Sequence, residues 1–185
     1  TAFTPVAAPD LPEGRFFPEV GHTLRQPFLG YWEAHGGLPI FGYPISEPFA
    51  EVNAADGRTY IVQYLERNRF EYHPEFAGTP DAVLLGLLGR EVTAGRTFDP
   101  VAPFTSDATR RYFPATGHSL QGVFLRYWQT RGGLALFGYP ISEEFPEASP
   151  ADGKVYTVQY FERNRFEYHA EFAGTPYEVL LGLLG

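Results

Sequence analysis

The chain is written twice. Phe17-Pro18 returns as Phe113-Pro114, Gly21-His22 as Gly117-His118, Tyr31-Trp32 as Tyr127-Trp128, Gly36-Gly37 as Gly132-Gly133, and Phe41–Glu47 (FGYPISE) as Phe137–Glu143. Every pair has the same offset, 113 − 17 = 96, and no gap interrupts the alignment through Gly89 and Gly185. Of the 73 aligned positions 24 differ, so 73 − 24 = 49 are identical, far more than shared patterning alone would give. The repeat also starts earlier: Phe3, Pro5, Val6 and Ala7 recur as Phe98, Pro100, Val101 and Ala102, now shifted by 98 − 3 = 95. A chain of 185 residues so duplicated must fold as two similar units, each near the lower end of independent domain size. The boundaries read as an extended N-terminal arm over 1–12, a first unit over 13–90, a connector equivalent to the arm over 91–108, and a second unit over 109–185.

Composition narrows the functional classes. Hydrophobic residues make up 44% of the chain and aromatic ones 17%, enough for a core despite 17 prolines and 20 glycines. A net charge of −8 lacks the basic stripe that nucleic acid requires, so no nucleic-acid partner is expected. The longest apolar run, Val83–Leu88, is broken by Gly86 and far too short for a membrane span. Without cysteine there is neither a disulfide frame nor thiolate chemistry. The chain also contains no methionine and opens at Thr1, which reads as a processed product or an excised fragment.

Within each unit, the pattern predicts a small α+β fold with extended, proline-rich connectors. Thr23 is replaced by Ser119, a swap that keeps the hydroxyl, as a helix N-cap requires. Leu24, Phe28, Tyr31 and Trp32 then fall on one helical face through His35, with Pro27 in the first turn and Gly36-Gly37 as the stop. FGYPIS reads as a turn, Glu47–Val52 as a strand, and Asp56-Gly57 as a turn into the next. Tyr60–Leu65 and Phe70–His73 read as a hairpin closed by Arg67-Asn68, with Asn68 at positive φ, Leu65 facing Phe70 and Gln63 facing Tyr72. Thr79-Pro80 opens a short helix that Gly89 ends.

The order FLxYW, GG, FGYPISE, DG and VQY-ER-RFEY resembles the LGFP-type repeats of bacterial cell-surface and cell-wall proteins. Trp32 and Trp128, the two Gly-Gly pairs, Gly42-Tyr43-Pro44 with Ser46, and Gly138-Tyr139-Pro140 with Ser142 carry that resemblance. The chain is also similar to uncharacterised tandem repeats of secreted proteins from filamentous thermophilic bacteria. Both resemblances imply an extracellular or cell-surface location and a non-catalytic module.

Residues shared by both copies are the candidates for chemistry. His22 and His73 recur as His118 and His169, but His22 has no second ligand at metal spacing, and a structural role is expected, with no metal and no cofactor. His35 gives way to Arg131. Glu66, Glu71 and Glu75 recur as Glu162, Glu167 and Glu171 and could serve a glycan hydrolase, yet Arg67 and Arg69 beside them suggest cross-strand ion pairs on an exposed hairpin. Ser46 and Ser142 lie in YPISE, which is not a nucleophile elbow. The aromatics are expected to be mainly core, Trp32 and Trp128 included, with Tyr43, Tyr64, Tyr139 and Tyr160 as candidates for a sugar platform. Three functions are expected, in order. The first is a non-catalytic module anchoring to a cell-wall or extracellular glycan. The second is a structural subunit polymerising head to tail through Phe3, Pro5, Val6 and Ala7 of the arm. An enzyme comes third.

Overall fold

A computed structural model describes residues 1–53 and 56–185. The chain is mixed α+β and consists of two tandem copies of one architecture, built from antiparallel sheets of two and four strands. Two compact units emerge, one comprising Thr1–Gly86 together with Gly185, the other Leu87–Leu184. No helix among the described residues is long and apolar enough to cross a membrane.

In unit 1, β1 (Gly14–Phe17) and β2 (His22–Arg25) form a two-stranded hairpin, followed by α1 (Phe28–Ala34) and α2 (Gly37–Phe41). A four-stranded antiparallel sheet completes it in the order β3 (Phe49–Val52), β4 (Thr59–Tyr64), β5 (Arg69–Tyr72) and β6 (Val83–Leu85). Unit 2 begins with α3 (Leu88–Val92) and then repeats the plan. Its hairpin is β7 (Arg110–Phe113) and β8 (His118–Gln121), its helices α4 (Gly122–Arg131) and α5 (Gly133–Phe137). Its sheet runs β9 (Phe145–Ala148), β10 (Val155–Tyr160), β11 (Arg165–Tyr168) and β12 (Val179–Leu181).

The predicted helix exists but starts later than its sequence signature. Thr23 and Leu24 belong to β2, and α1 opens only at Phe28, directly after Pro27. The Thr23 hydroxyl caps nothing: its N–H and its Oγ1 both donate to the Glu47 carboxylate, at 2.9 and 2.5 Å. Ser119 does the same to Glu143, at 2.8 and 2.6 Å, so the shared hydroxyl serves a partner 24 residues away. Gly36 does stop α1, at φ 106°, and the chain turns at once into α2, a helix the sequence pattern did not announce.

The hairpin β4–β5 is present, with its register two residues off the predicted one. Gln63 faces Phe70 and Tyr64 faces Arg69, leaving a four-residue turn closed by the Leu65 N–H on the Asn68 carbonyl (2.8 Å). A shift of two keeps every side chain on its own face. The wider turn frees Glu66 and Arg67 to donate backbone N–H groups to the carbonyls of Tyr43 (3.0 Å) and Phe41 (3.2 Å). Asn68 does not adopt positive φ, because a turn of this length does not demand it. Thr79 caps as expected, accepting from the Asp81 N–H (3.2 Å) with Pro80 next. The cap opens only a 3-10 turn, Pro80–Ala82, and the chain then enters β6, because Val83–Leu85 finds an open edge on β5. Gly57, at φ 73°, sits in the turn that Asp56-Gly57 signalled.

The two faces of each sheet have different fates. Alternation puts Gln63, Leu65 and Phe70 on the face covered by the helices. There Phe70 meets Phe28, Tyr31 and Phe41 at ring-centroid distances of 5.9, 5.2 and 4.9 Å, the last two edge to face. Phe166 repeats this with Phe124, Tyr127 and Phe137. Trp32 and Trp128 are both buried, 6% exposed, as expected, and each indole N–H donates to a glycine carbonyl, Gly42 at 3.1 Å or Gly138 at 3.0 Å.

Each hairpin turn is also covered by a glycine. In unit 2 an added Cβ on Gly89 of α3 would fall 1.8 Å from the Phe161 carbonyl oxygen, and the Arg90 N–H donates to Glu162 O (3.2 Å). Within unit 1, Gly185 holds the corresponding place, its N–H on Glu66 O (3.0 Å) and its virtual Cβ 1.8 Å from Leu65 O.

Candidate functional site

The polar residues shared by both copies are engaged with the fold. His22 Nδ1 lies 3.3 Å from Glu47 Oε1, and His118 Nδ1 3.2 Å from Glu143 Oε1, both histidines buried. Glu66 and Glu162 each accept the N–H of the tyrosine in the GYP turn, Tyr43 or Tyr139, at 3.1 Å. Ser46 and Ser142 each accept the N–H of Tyr64 or Tyr160, at 3.0 and 2.9 Å. No group of three or more His, Asp or Glu suited to a metal occurs among the described residues. His35, absent from the second copy, stacks on Tyr31.

Arg69 and Glu71 do pair, but not across strands and not on an exposed surface. Arg69 Nη2 meets Glu71 Oε1 at 2.7 Å within β5, and Arg69 Nη1 meets Glu51 of β3 at 3.1 Å, both Arg69 and Glu71 being buried. Asn53 donates to the other Glu71 oxygen (2.9 Å). In unit 2, Arg165 pairs with Glu167 in the same way and reaches Glu147 at 3.0 Å. Losing one partner of such a buried pair leaves an uncompensated charge, so these carboxylates are built into the fold. Glu75 and Glu171 lie at the rim, each on a histidine Nδ1, that of His73 (3.2 Å) or His169 (3.1 Å).

The four tyrosines predicted for a sugar platform are divided. Tyr43 and Tyr139 are half-buried, edge to face against Phe17 and Phe113. Tyr64 is half-buried, its hydroxyl donating to Glu51, whereas Tyr160 is only 5% exposed, its hydroxyl on Glu147. The arm lies against its own unit. Phe3 packs on Phe49 and Tyr64 (5.7 and 5.6 Å), Pro5 lies over Gly21, and the Val6 N–H donates to Gly21 O (2.7 Å). Ala7 is exposed. Phe98, Pro100 and Val101 make the same contacts in unit 2, with Phe145, Tyr160 and Gly117.

A surface without a signature of its own in the sequence lies on unit 2. Thr157 pairs with Tyr168 across β10 and β11, so both project from the helix-covered face of the sheet, beyond the helices. There they line an open cleft of about 510 Å³ with Lys154, Val155 and Glu171. Tyr156 also contributes to the lining; it donates from its hydroxyl to Asp152 (2.7 Å) and lies against the His169 ring at 4.1 Å. The hydrogen bond to Asp152 pushes the Tyr156 phenol up to about 12. That same bond, with the Lys154 N–H, holds Asp152 below the ordinary carboxylate range. Glu171 is lowered by its own backbone N–H and then by His169, so it faces the cleft as an anion at neutral pH. The cleft thus combines a tyrosine ring with a hydroxyl, an ammonium and a carboxylate. The only trace of it in the sequence is period-two alternation along VYTVQY against RFEY, which places Thr157 and Tyr168 on one face. Comparison with known proteins returned nothing to set beside this geometry: no family model, no curated protein and no solved structure matches the chain.

Proposed function

We propose that the chain is a non-catalytic extracellular surface module that holds a cell-wall or extracellular glycan, twice, through the tyrosine cleft that each sheet presents beyond its helices. The observation that carries this reading is the cleft of Lys154, Thr157, Tyr168 and Glu171. Glycan recognition needs an apolar ring face for the C–H side of a sugar and a few polar groups for its hydroxyls, and the cleft supplies both. Unit 1 carries Arg58, Ile61, Tyr72 and Glu75 at the equivalent positions, so its tyrosine and its charges are retained while the hydroxyl is not. The resemblance to LGFP-type surface repeats supports the location and the non-catalytic character. Duplication favours a polymer, because a second weak contact on one chain adds about 10²–10⁴ in avidity.

The experiment is sedimentation of the full chain with insoluble peptidoglycan and with neutral polysaccharides. Binding is expected to at least one of them. Tyr168→Ala with Tyr72→Ala should abolish it, and each single variant should weaken it by roughly 100-fold through lost avidity. Retention undiminished in the double variant would overturn the proposal, as would reproducible glycan cleavage by the wild-type chain.

A further inference from the structure

The two units differ at one cluster of rings and charges. In unit 2, the guanidinium of Arg96 lies over three rings, 5.0 Å from Phe98, 5.5 Å from Phe145 and 5.1 Å from Tyr160. Its Nη1 also reaches Glu147 Oε1 at 2.9 Å and the Tyr160 hydroxyl at 3.4 Å. The Arg96 N–H closes a turn on Thr93 O (2.9 Å), which helps bring the side chain back over the connector. A planar cation placed so takes both the quadrupoles of the rings and a charge-assisted hydrogen bond.

Unit 1 builds the same cradle. Phe3 lies 5.7 Å from Phe49 and 5.6 Å from Tyr64, Phe49 stacks on Tyr64 at 6.0 Å, and the Tyr64 hydroxyl donates to Glu51 (3.1 Å). In the repeat alignment Thr1 stands where Arg96 stands, 96 − 95 = 1, so unit 1 has no counterpart of Arg96 at that place, while Arg69 lies over the Tyr64 ring at 5.7 Å as Arg165 does over Tyr160 at 5.9 Å. Phe3 is 51% exposed and Tyr64 half-buried, against 5% for Tyr160 under Arg96. The charges follow suit. In unit 2, Glu147 and Glu167 are met by Arg96 and Arg165, two against two. In unit 1, Glu51 and Glu71 are met, among the described residues, by Arg69, two against one. The neighbouring histidine, His73 or His169, is common to both.

We propose that Phe3, Phe49, Tyr64 and Glu51 form a binding site for an arginine side chain of a partner peptide, the site that Arg96 fills from within the chain in unit 2. Arginine is favoured over lysine because a flat guanidinium lies against the rings while its edge donates to Glu51, which a strongly hydrated ammonium does less well.

The test is an NMR titration of the full chain with N-acetyl-arginine methylamide, followed on the aromatic signals of Phe3, Phe49 and Tyr64. The wild type should bind one equivalent, with the capped lysine at least about tenfold weaker. Thr1→Arg, on an exposed residue, should fill the cradle and remove binding. Arg96→Ala should open the second cradle and raise the stoichiometry to two. Saturable shifts lost in Thr1→Arg support the site even where Arg96→Ala destabilises unit 2. Absence of saturable shifts in the wild type, equal binding of the capped lysine, or unchanged binding in Thr1→Arg overturns it.

Discussion

Gln63 offers the sharpest test of how each unit is held together. Its side chain is fully buried, and Nε2 donates to the carbonyls of Thr23 (2.6 Å) and Ser46 (2.7 Å), joining β2, the turn before β3, and β4. Gln159 makes the same pair with Ser119 and Ser142, both at 2.7 Å. Gln63→Leu keeps the volume and deletes both donors. Each buried carbonyl stripped of its donor costs about 1–3 kcal/mol, or about 2–6 for the two, and the apolar contacts of leucine return a part. The expected net loss is about 2–4 kcal/mol. Each unit carries one tryptophan, so urea unfolding followed by fluorescence in a Trp128→Phe background reports unit 1 alone. The midpoint should fall by roughly 1–3 M with the slope unchanged. Gln159→Leu, read through Trp128 in a Trp32→Phe background, should cost unit 2 a similar amount. A Gln63→Leu chain as stable as wild type would refute the view that these two bonds fasten the strand to the sheet.

The remaining predictions rest on equally local contacts. Trp128→Ala should cost unit 2 about 3–5 kcal/mol in urea unfolding followed by circular dichroism, since the variant lacks that unit's tryptophan; this is the usual cost of large aromatic truncations in a core, and a loss under about 1 kcal/mol would contradict its burial. Gly89→Ala puts a methyl where the Phe161 carbonyl stands and should cost about 1–3 kcal/mol by pushing α3 off the hairpin turn; Gly89 has no positive φ, so the loss is steric. Tyr156 should ionise near 12 by ultraviolet difference spectroscopy, and Asp152→Asn should bring it back toward 10. Because the folded value is raised, the stabilisation this bond gives is complete below pH 10 and lost as pH rises through about 12. For Asp152 the folded value is lowered, so its share is present above the ordinary carboxylate range and lost in acid. A Tyr156 titration at 10 in the wild type would dispose of the bond.

Some of this molecule is legible in the chain itself. The 96-residue offset determines two copies of one unit. The Gly-Gly stop, the Thr79-Pro80 cap and the Asp56-Gly57 turn are local signals, and local sterics honour them. Burial of both tryptophans follows from helical spacing of apolar residues. Tertiary structure decided the rest, wherever a residue's partner lies far along the chain. The Thr23-to-Ser119 swap looks like a helix cap because a hydroxyl is all either role requires, and only the fold reveals Glu47 and Glu143 as the groups that the hydroxyl serves. Val83–Leu85 reads as a helix after its cap, yet an open edge on β5 makes it a strand. The hairpin register was set by Glu66 and Arg67 bonding back to Tyr43 and Phe41, contacts no two-residue turn could make. Arg69, Glu51 and Glu71 carry no sequence mark of burial, and they become an ion cluster with Arg69 and Glu71 buried because β3 and β5 lie on either side of β4 and present all three side chains on one face of the sheet. The difference between the units has the same origin. Arg96 and Thr1 are aligned residues of a repeat, and only the rings assembled around that position show that one of them is a cation lying over Phe98, Phe145 and Tyr160 while the other stands near the equivalent rings without a side-chain charge.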